Sequence, residues 1–223
     1  CPAMNSSLLQ LLVLAGIAIF LILKLRSVLG TREGHESEPM RPVERSRPDR
    51  RRDFEVIEGG PDRDITDHVE DGSNSAKALA AMKMAEPGFS VSEFLGGARG
   101  AYEMILMAFE NGDVDGLRPF LADDVMETFE SVISEREAQG LTIDANFVGV
   151  RELTLQEAEF DRATSEAQIT IRFVGELTSA VRNAEGEIVE GDPNAIKRQR
   201  DIWTFAREMG SDNPNWVLVA TGG

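Results

Sequence analysis

The hydrophobic period changes at Gly140, and that change limits the possible folds more than any other feature of the chain. Before it, apolar residues recur every three or four positions: Phe94, Ala98, Ala101, Tyr102, Ile105 and Phe109, then Val125, Met126, Phe129, Val132 and Ile133. Such spacing lays one apolar stripe along a helix. After it the residues alternate, with Ala167, Ile169, Ile171 and Phe173 separated by Gln168, Thr170 and Arg172, the pattern of a half-buried strand. Helices followed by a meander of strands pack as α+β, with the helices on one face of a curved antiparallel sheet.

The folded unit is expected to begin at Phe89. Ser90-Val91-Ser92-Glu93 spells a capping box with Phe89 as the preceding staple residue, and Asn111-Gly112 stops the first helix. Asp113–Leu121 reads as a short helix, and a second main helix from Asp123 to Gln139 ends at Gly140. Strands are expected at Phe147–Ala158, Thr164–Ala180, Arg198–Glu208 and Trp216–Thr221, with Ile188-Val189 as a short return after the turn at Asn183–Gly186. In the first of these, Val148, Val150, Leu153 and Leu155 change parity partway, which calls for a bulge.

The N-terminal part has a different character. Leu8–Leu25 is apolar except for Gln10 and Lys24, and as a helix it would span roughly 27 Å, close to a hydrocarbon core of about 30 Å. No Lys or Arg precedes it, whereas Lys24, Arg26 and Arg32 follow, the reverse of a cleaved export signal. Residues 1–26 are therefore expected to form a single-span anchor with its N-terminus outside and the rest of the chain on the cytoplasmic side. Residues 27–88 read as a charged, mostly disordered tether, within which Ser73–Met84 is compatible with a short helix before Pro87-Gly88. A flexible stretch of about 35 residues reaches about 30–35 Å. Arg41, Arg45, Arg47, Arg50, Arg51 and Arg52 are candidate contacts for anionic lipids, or else they reinforce topology and stay solvated.

Charge follows the same division. The first 52 residues carry nine Lys/Arg against five Asp/Glu, while the chain as a whole is −16, so the remainder carries −20. A domain so acidic is a poor direct ligand for nucleic acid, since phosphate binding rests on Lys and Arg. It suits a basic protein partner, or simply stays soluble. Cys1 is the single cysteine, which excludes a disulfide framework and a cysteine metal site within the chain.

Signs of catalysis are sparse. There is no P-loop, nucleophile elbow or dinucleotide fingerprint, and no cofactor or metal is expected. His35 and His68 both fall in the tether, without a second ligand at metal spacing. Gly96, Gly97 and Gly100 lie inside a helix and read as permitting close packing. The candidate bases are Asp144, Glu176 and Asp201, with Tyr102, the single tyrosine, better read as a core residue whose hydroxyl reaches a polar rim. Trp203, Phe205 and Trp216 either fill the core or line a ligand cavity, and both require the same inward orientation.

Particular residues carry a family resemblance. They are Phe94-Leu95-Gly96-Gly97-Ala98-Arg99 with Ala101-Tyr102, Ala108-Phe109 with Gly112-Asp113, Leu117–Leu121, and Val125–Phe129. Later come Ile169–Phe173 with Glu176, Gly186–Asp192, Asp201-Ile202-Trp203-Thr204-Phe205 with Arg207, and Pro214-Asn215-Trp216-Val217-Leu218. In this order they resemble the C-terminal domain of the Tim forty-four family, the mitochondrial import-motor scaffold with bacterial TimA-type inner-membrane adaptor relatives. The resemblance implies a cystatin-like or nuclear-transport-factor-two-like cone, with Phe94, Tyr102, Ile105, Phe129, Ile171, Phe173, Trp203, Phe205 and Trp216 around an apolar cavity or partner site. It implies a non-enzymatic adaptor of the bacterial inner membrane, close to anionic lipids and to a translocon, insertase, chaperone or ribosome. Residues 27–88 show no counterpart of the family's chaperone-recruiting segment. A membrane-tethered carrier of lipid or another apolar ligand, and a cavity isomerase, are the alternative readings.

Overall fold

The computed structural model describes residues 60–222; the apolar run Leu8–Leu25, the Arg41–Arg52 cluster and His35 lie outside the described residues. Helices α1 (Arg63–Thr66), α2 (Asn74–Ala85), α3 (Val91–Glu110), α4 (Val114–Leu117) and α5 (Asp123–Ala138) precede strands β1 (Thr142–Asp161), β2 (Glu166–Arg182), β3 (Ile188–Glu208) and β4 (Val217–Gly222). The strands form one antiparallel sheet in the order β1-β2-β3-β4, so the architecture is α+β. Among the described residues, no helix is long and apolar enough to cross a membrane.

Helix α3 begins as its sequence dictates. The Ser90 hydroxyl accepts from the Glu93 N–H at 3.3 Å, and Phe89 stands 6.4 Å from Phe94, ring centre to ring centre. Its buried stripe is Val91, Phe94, Leu95, Ala98, Tyr102, Ile105 and Leu106. Helix α5 buries Val125, Met126 and Ile133, and ends at Gly140 with φ +67. Val132, expected on that stripe, is 38% exposed because one residue turns a helix by about 100° away from Ile133.

The glycines of α3 depart from expectation. Gly96, Gly97 and Gly100 are exposed, and a Cβ on any of them would meet nothing within 4 Å. They lie off the stripe of Phe94, Ala98 and Tyr102, so no close packing requires them. The double variant Gly96→Ala/Gly100→Ala should therefore raise stability by about 1–2 kcal/mol, read as a higher urea midpoint with an unchanged slope.

The sheet is buried through β2, where Ala167, Ile169, Ile171, Phe173 and Leu177 are all 0% exposed and face the helices. Register shifts in β1 at Phe147/Gly149, Val150/Glu152 and Leu155/Glu157 account for the broken parity seen in its sequence. Ile188-Val189 and Arg198–Glu208, expected as separate pieces, belong to the one strand β3. Leu177 pairs with Lys197 but Ser179 with Asp192, so the intervening residues around Pro193 bulge out of the ladder. Proline has no N–H to give to a ladder, which is why the alternation fails there.

The largest correction concerns residues 60–88, expected as part of the tether. They are folded, and the compact unit begins at Gly60 rather than Phe89. Ile65, Leu79 and Met82 join the core, the last two at 0% exposure. Polar contacts between distant residues hold this segment down. The Asp64 carboxylate accepts the N–H groups of Val91 at 2.8 Å and Ser92 at 2.9 Å, capping α3, while Lys83 Nζ lies 2.7 Å from both Asp62 and Asp64. Burial opposes ionisation of Asp64, but the bonds from Lys83, Ser92 and Val91 outweigh it and hold the carboxyl well below its usual range. At the other end, Glu86 takes Arg207 in a bidentate grip at 3.0 and 2.9 Å and accepts the Gly210 N–H at 2.9 Å. Between them, the Ser75 hydroxyl accepts the Ala158 N–H of β1 at 3.0 Å.

Candidate functional site

The aromatic residues singled out from the sequence converge where α3 crosses β2 and β3. Tyr102 stacks on Phe173 at 4.4 Å with an interplanar angle of 10°, and its ring lies 4.8 Å from Trp203. Phe94 sits 4.6 Å from Trp216 and 6.3 Å from Phe205, with Ile105 and Ile171 fully buried in the same core. Phe129 stands apart from these rings. It packs on Phe109 at 4.8 Å, and the Arg136 guanidinium covers Phe109 from 4.7 Å while donating to its carbonyl. Ring-on-ring contact at these separations makes the group a packed core.

One polar group is set into that core. Asp201 lies opposite Phe173 in the β2–β3 register, and therefore on the helix-facing side. Tyr102 Oη donates to Asp201 Oδ2 at 2.6 Å, and Gln199 Nε2 donates to Oδ1 at 3.2 Å. Burial pushes the Asp201 carboxyl above its usual range, against the opposing pull of Tyr102 and Gln199. Burial and then the neighbouring Asp201 push the Tyr102 phenol well above its own. Tyr102 is 0% exposed, and a Cβ at Gly175 would fall 2.7 Å from its hydroxyl. The hydroxyl is thus committed to Asp201 and sealed from solvent, which makes the pair a strap from α3 to β3.

The other two candidate bases are elsewhere. Asp144 pairs with Arg182 at 3.4 Å and is 59% exposed. Glu176 is held by Arg198 at 2.9 Å and Arg151 at 3.4 Å; Arg198 first, with both charges behind it, holds its carboxyl below the usual range despite some desolvation. His68 Nε2 meets the Ser92 hydroxyl at 3.3 Å, and no group of three metal-capable side chains occurs among the described residues. A groove of about 290 Å³ runs between α2 and β1, lined by Ala78, Ala81, Ala158 and Phe160 together with Lys77 and Arg162. Sequence reasoning missed this groove, as it missed Gln199.

The strap has a pH signature. Because folding raises the Asp201 pKa, the folded state binds that proton more tightly than the unfolded chain does. The favourable contribution is therefore full below the unfolded carboxyl value of about 4 and is lost as pH rises through the folded value. Asp201→Asn, which stays neutral, should gain stability relative to the parent as pH climbs from about 4 to 7 and differ least near pH 3. Urea melts across that range would show it, and a constant difference at every pH would contradict the assignment.

Helices packed onto an antiparallel meander, with an aromatic core straddling α3, β2 and β3, define an α+β domain. A family model for the Tim44-like domain matches residues 75–223, and the chain belongs to the Tim44-like domain family. It is similar to the mitochondrial import inner membrane translocase subunit TIM44 of Homo sapiens, at 24% identity over 70% of this chain and 36% of that protein. It is also similar to subunit TIM44-1 of Arabidopsis thaliana, at 23% identity over 66% of this chain and 32% of that protein. The chain thus spans about a third of the length of these curated relatives. Among solved structures it is similar to the intermembrane space region of chloroplast protein ARC6, with TM-score 0.38 and 13% identity over 59% of this chain and 92% of that one.

Proposed function

We propose that the protein is a non-enzymatic adaptor of the bacterial inner membrane, with Leu8–Leu25 as a single-span anchor and the Tim44-like domain on the cytoplasmic side. There it holds a protein partner beside the machinery that translocates or inserts other proteins: a translocon, an insertase, a chaperone or a ribosome. The observation that carries this reading is family membership across nearly the whole folded unit, with relatives named as subunits of an inner-membrane import translocase. The geometry supports binding over chemistry, because the Tyr102 hydroxyl is sealed and spent on Asp201. The domain is read as a cone of the cystatin-like or nuclear-transport-factor-two-like kind, and the Arg41–Arg52 cluster as its contact with anionic lipids. Anchoring raises the effective concentration of weak partners without adding a contact.

The test compares the full chain with a variant lacking Leu8–Leu25, in cells and in vitro. Crosslinking in intact membranes is expected to join the full chain to translocation or insertion components. The anchorless form should bind the same partner in solution yet fail in cells. An anchorless form that serves cells equally well would rule out tethering. Acyl chains retained by the protein in native mass spectrometry would instead favour a lipid carrier.

A further inference from the structure

Helix α2 serves two neighbours at once. Ala76, Leu79 and Met82 join the core, whereas Asn74, Lys77, Ala78 and Ala81, at helical spacing, line the groove against β1. Ala158 and Phe160 of β1 also line it, two positions apart and so on one face of their strand. Alanine at Ala78, Ala81 and Ala158 is what leaves this space unfilled. Ser75 fixes the helix to the strand beside the groove, its hydroxyl accepting the Ala158 N–H at 3.0 Å. Ala158 pairs with Ile169 of β2 on its other side, so the groove presents side chains and volume instead of a strand edge.

The groove differs in charge from its domain. Lys77, and Arg162 directly after the end of β1, are both exposed, and among the described residues neither side chain makes an ion pair. Glu159 is the one carboxylate among the lining residues, so cations outnumber it two to one, whereas residues 53–223 together carry −20. The acidic remainder repels an anionic partner and confines its approach to places such as this one. Volume decides the kind of occupant. The groove's 290 Å³ lies at the lower end of the range for small-ligand pockets, about 300–1,000 Å³, which suits one large apolar side chain better than a lipid with its acyl chains. A second copy of this chain fits poorly, because two domains each carrying −20 repel one another.

We infer that the groove between α2 and β1 receives an acidic segment of a partner protein. One large apolar side chain lies against Ala78, Ala81, Ala158 and Phe160, and carboxylates on either side of it meet Lys77 and Arg162. The buried side chain supplies most of the binding, while the charges select the partner and set its register. This goes beyond the adaptor reading and holds with or without the membrane anchor.

The probe is a short labelled peptide with one phenylalanine between glutamates, added to the full chain. Fluorescence anisotropy should report saturable binding, and a photoreactive ring in place of the phenylalanine should crosslink to residues 74–81 or 158–162. The surface variant Lys77→Glu/Arg162→Glu should weaken binding roughly tenfold or more, and a peptide with lysines in place of the glutamates should recover it. Ala78→Leu keeps a good helix former at a half-buried position and fills the groove, so binding should vanish while the thermal midpoint holds. Absent binding, binding indifferent to both variants, or crosslinks elsewhere would overturn the proposal. Equal affinity for a peptide with alanine in place of the phenylalanine would do the same. Self-association, or binding to phosphatidylglycerol vesicles, that is lost in Ala78→Leu would assign the groove to a second copy or to lipid and overturn it as well. Failure here with partner crosslinking intact would remove the groove site and leave the adaptor role standing.

Discussion

A chain begun at Phe89 is expected to lose its cooperative fold, while one begun at Gly60 keeps it. The shorter chain lacks Leu79 and Met82, both 0% exposed, each worth about 2–3 kcal/mol of buried apolar surface. It also removes Asp64, which accepts the Val91 and Ser92 N–H groups beside the Ser90 cap of α3, at about 1–2 kcal/mol, and it leaves Arg207, 9% exposed, without the Glu86 carboxylate. Together these losses come to about 8 kcal/mol, comparable with the whole stability of an ordinary domain of about 5–15 kcal/mol. Urea titration by circular dichroism, with proton NMR dispersion as a check on packing, distinguishes the two chains. Matching midpoints would show that residues 60–88 merely decorate the surface.

Replacing Tyr102 is expected to produce the largest loss from any single substitution. Tyr102→Ala removes a ring packed between Phe173 and Trp203 and leaves a cavity at a 0% exposed position, for about 4 kcal/mol. Tyr102→Phe keeps the ring and deletes only the bond to Asp201, for about 1–2 kcal/mol. Gly175→Ala approaches the same place from the opposite side and should cost about 1–3 kcal/mol, because its Cβ would crowd the tyrosine hydroxyl. The order Ala first, Phe well behind it, is the measurable claim in chemical denaturation. Equal losses for the Ala and Phe variants would shift the energy from the ring to the hydroxyl and defeat the packing account.

How far the sequence could be read follows from the range of the interactions involved. The capping box at Ser90, the stop at Gly140 and the parity break in β1 were all legible, because caps, left-handed glycines and side-chain alternation are settled within a few residues. The inward set around Tyr102 was legible too, since both periods point those residues to one side. Residues 60–88 were not, because their helix has only a weak apolar stripe and is held by partners as remote as Arg207 and Ala158. The glycines of α3 were misread for the same reason: a pattern shows which residues share a face, and only neighbours show whether anything stands there.

The sequence by itself determined the α+β order, the helix ends, the placement of bulges and the family, each through local periodicity or through residue choice along the strands. Tertiary structure alone decided that residues 60–88 belong to the fold and that Asp201 rather than Asp144 or Glu176 meets Tyr102. Those outcomes depend on contacts between residues as much as 121 positions apart, and composition and spacing carry no record of which distant charge or backbone group will be brought within 3 Å.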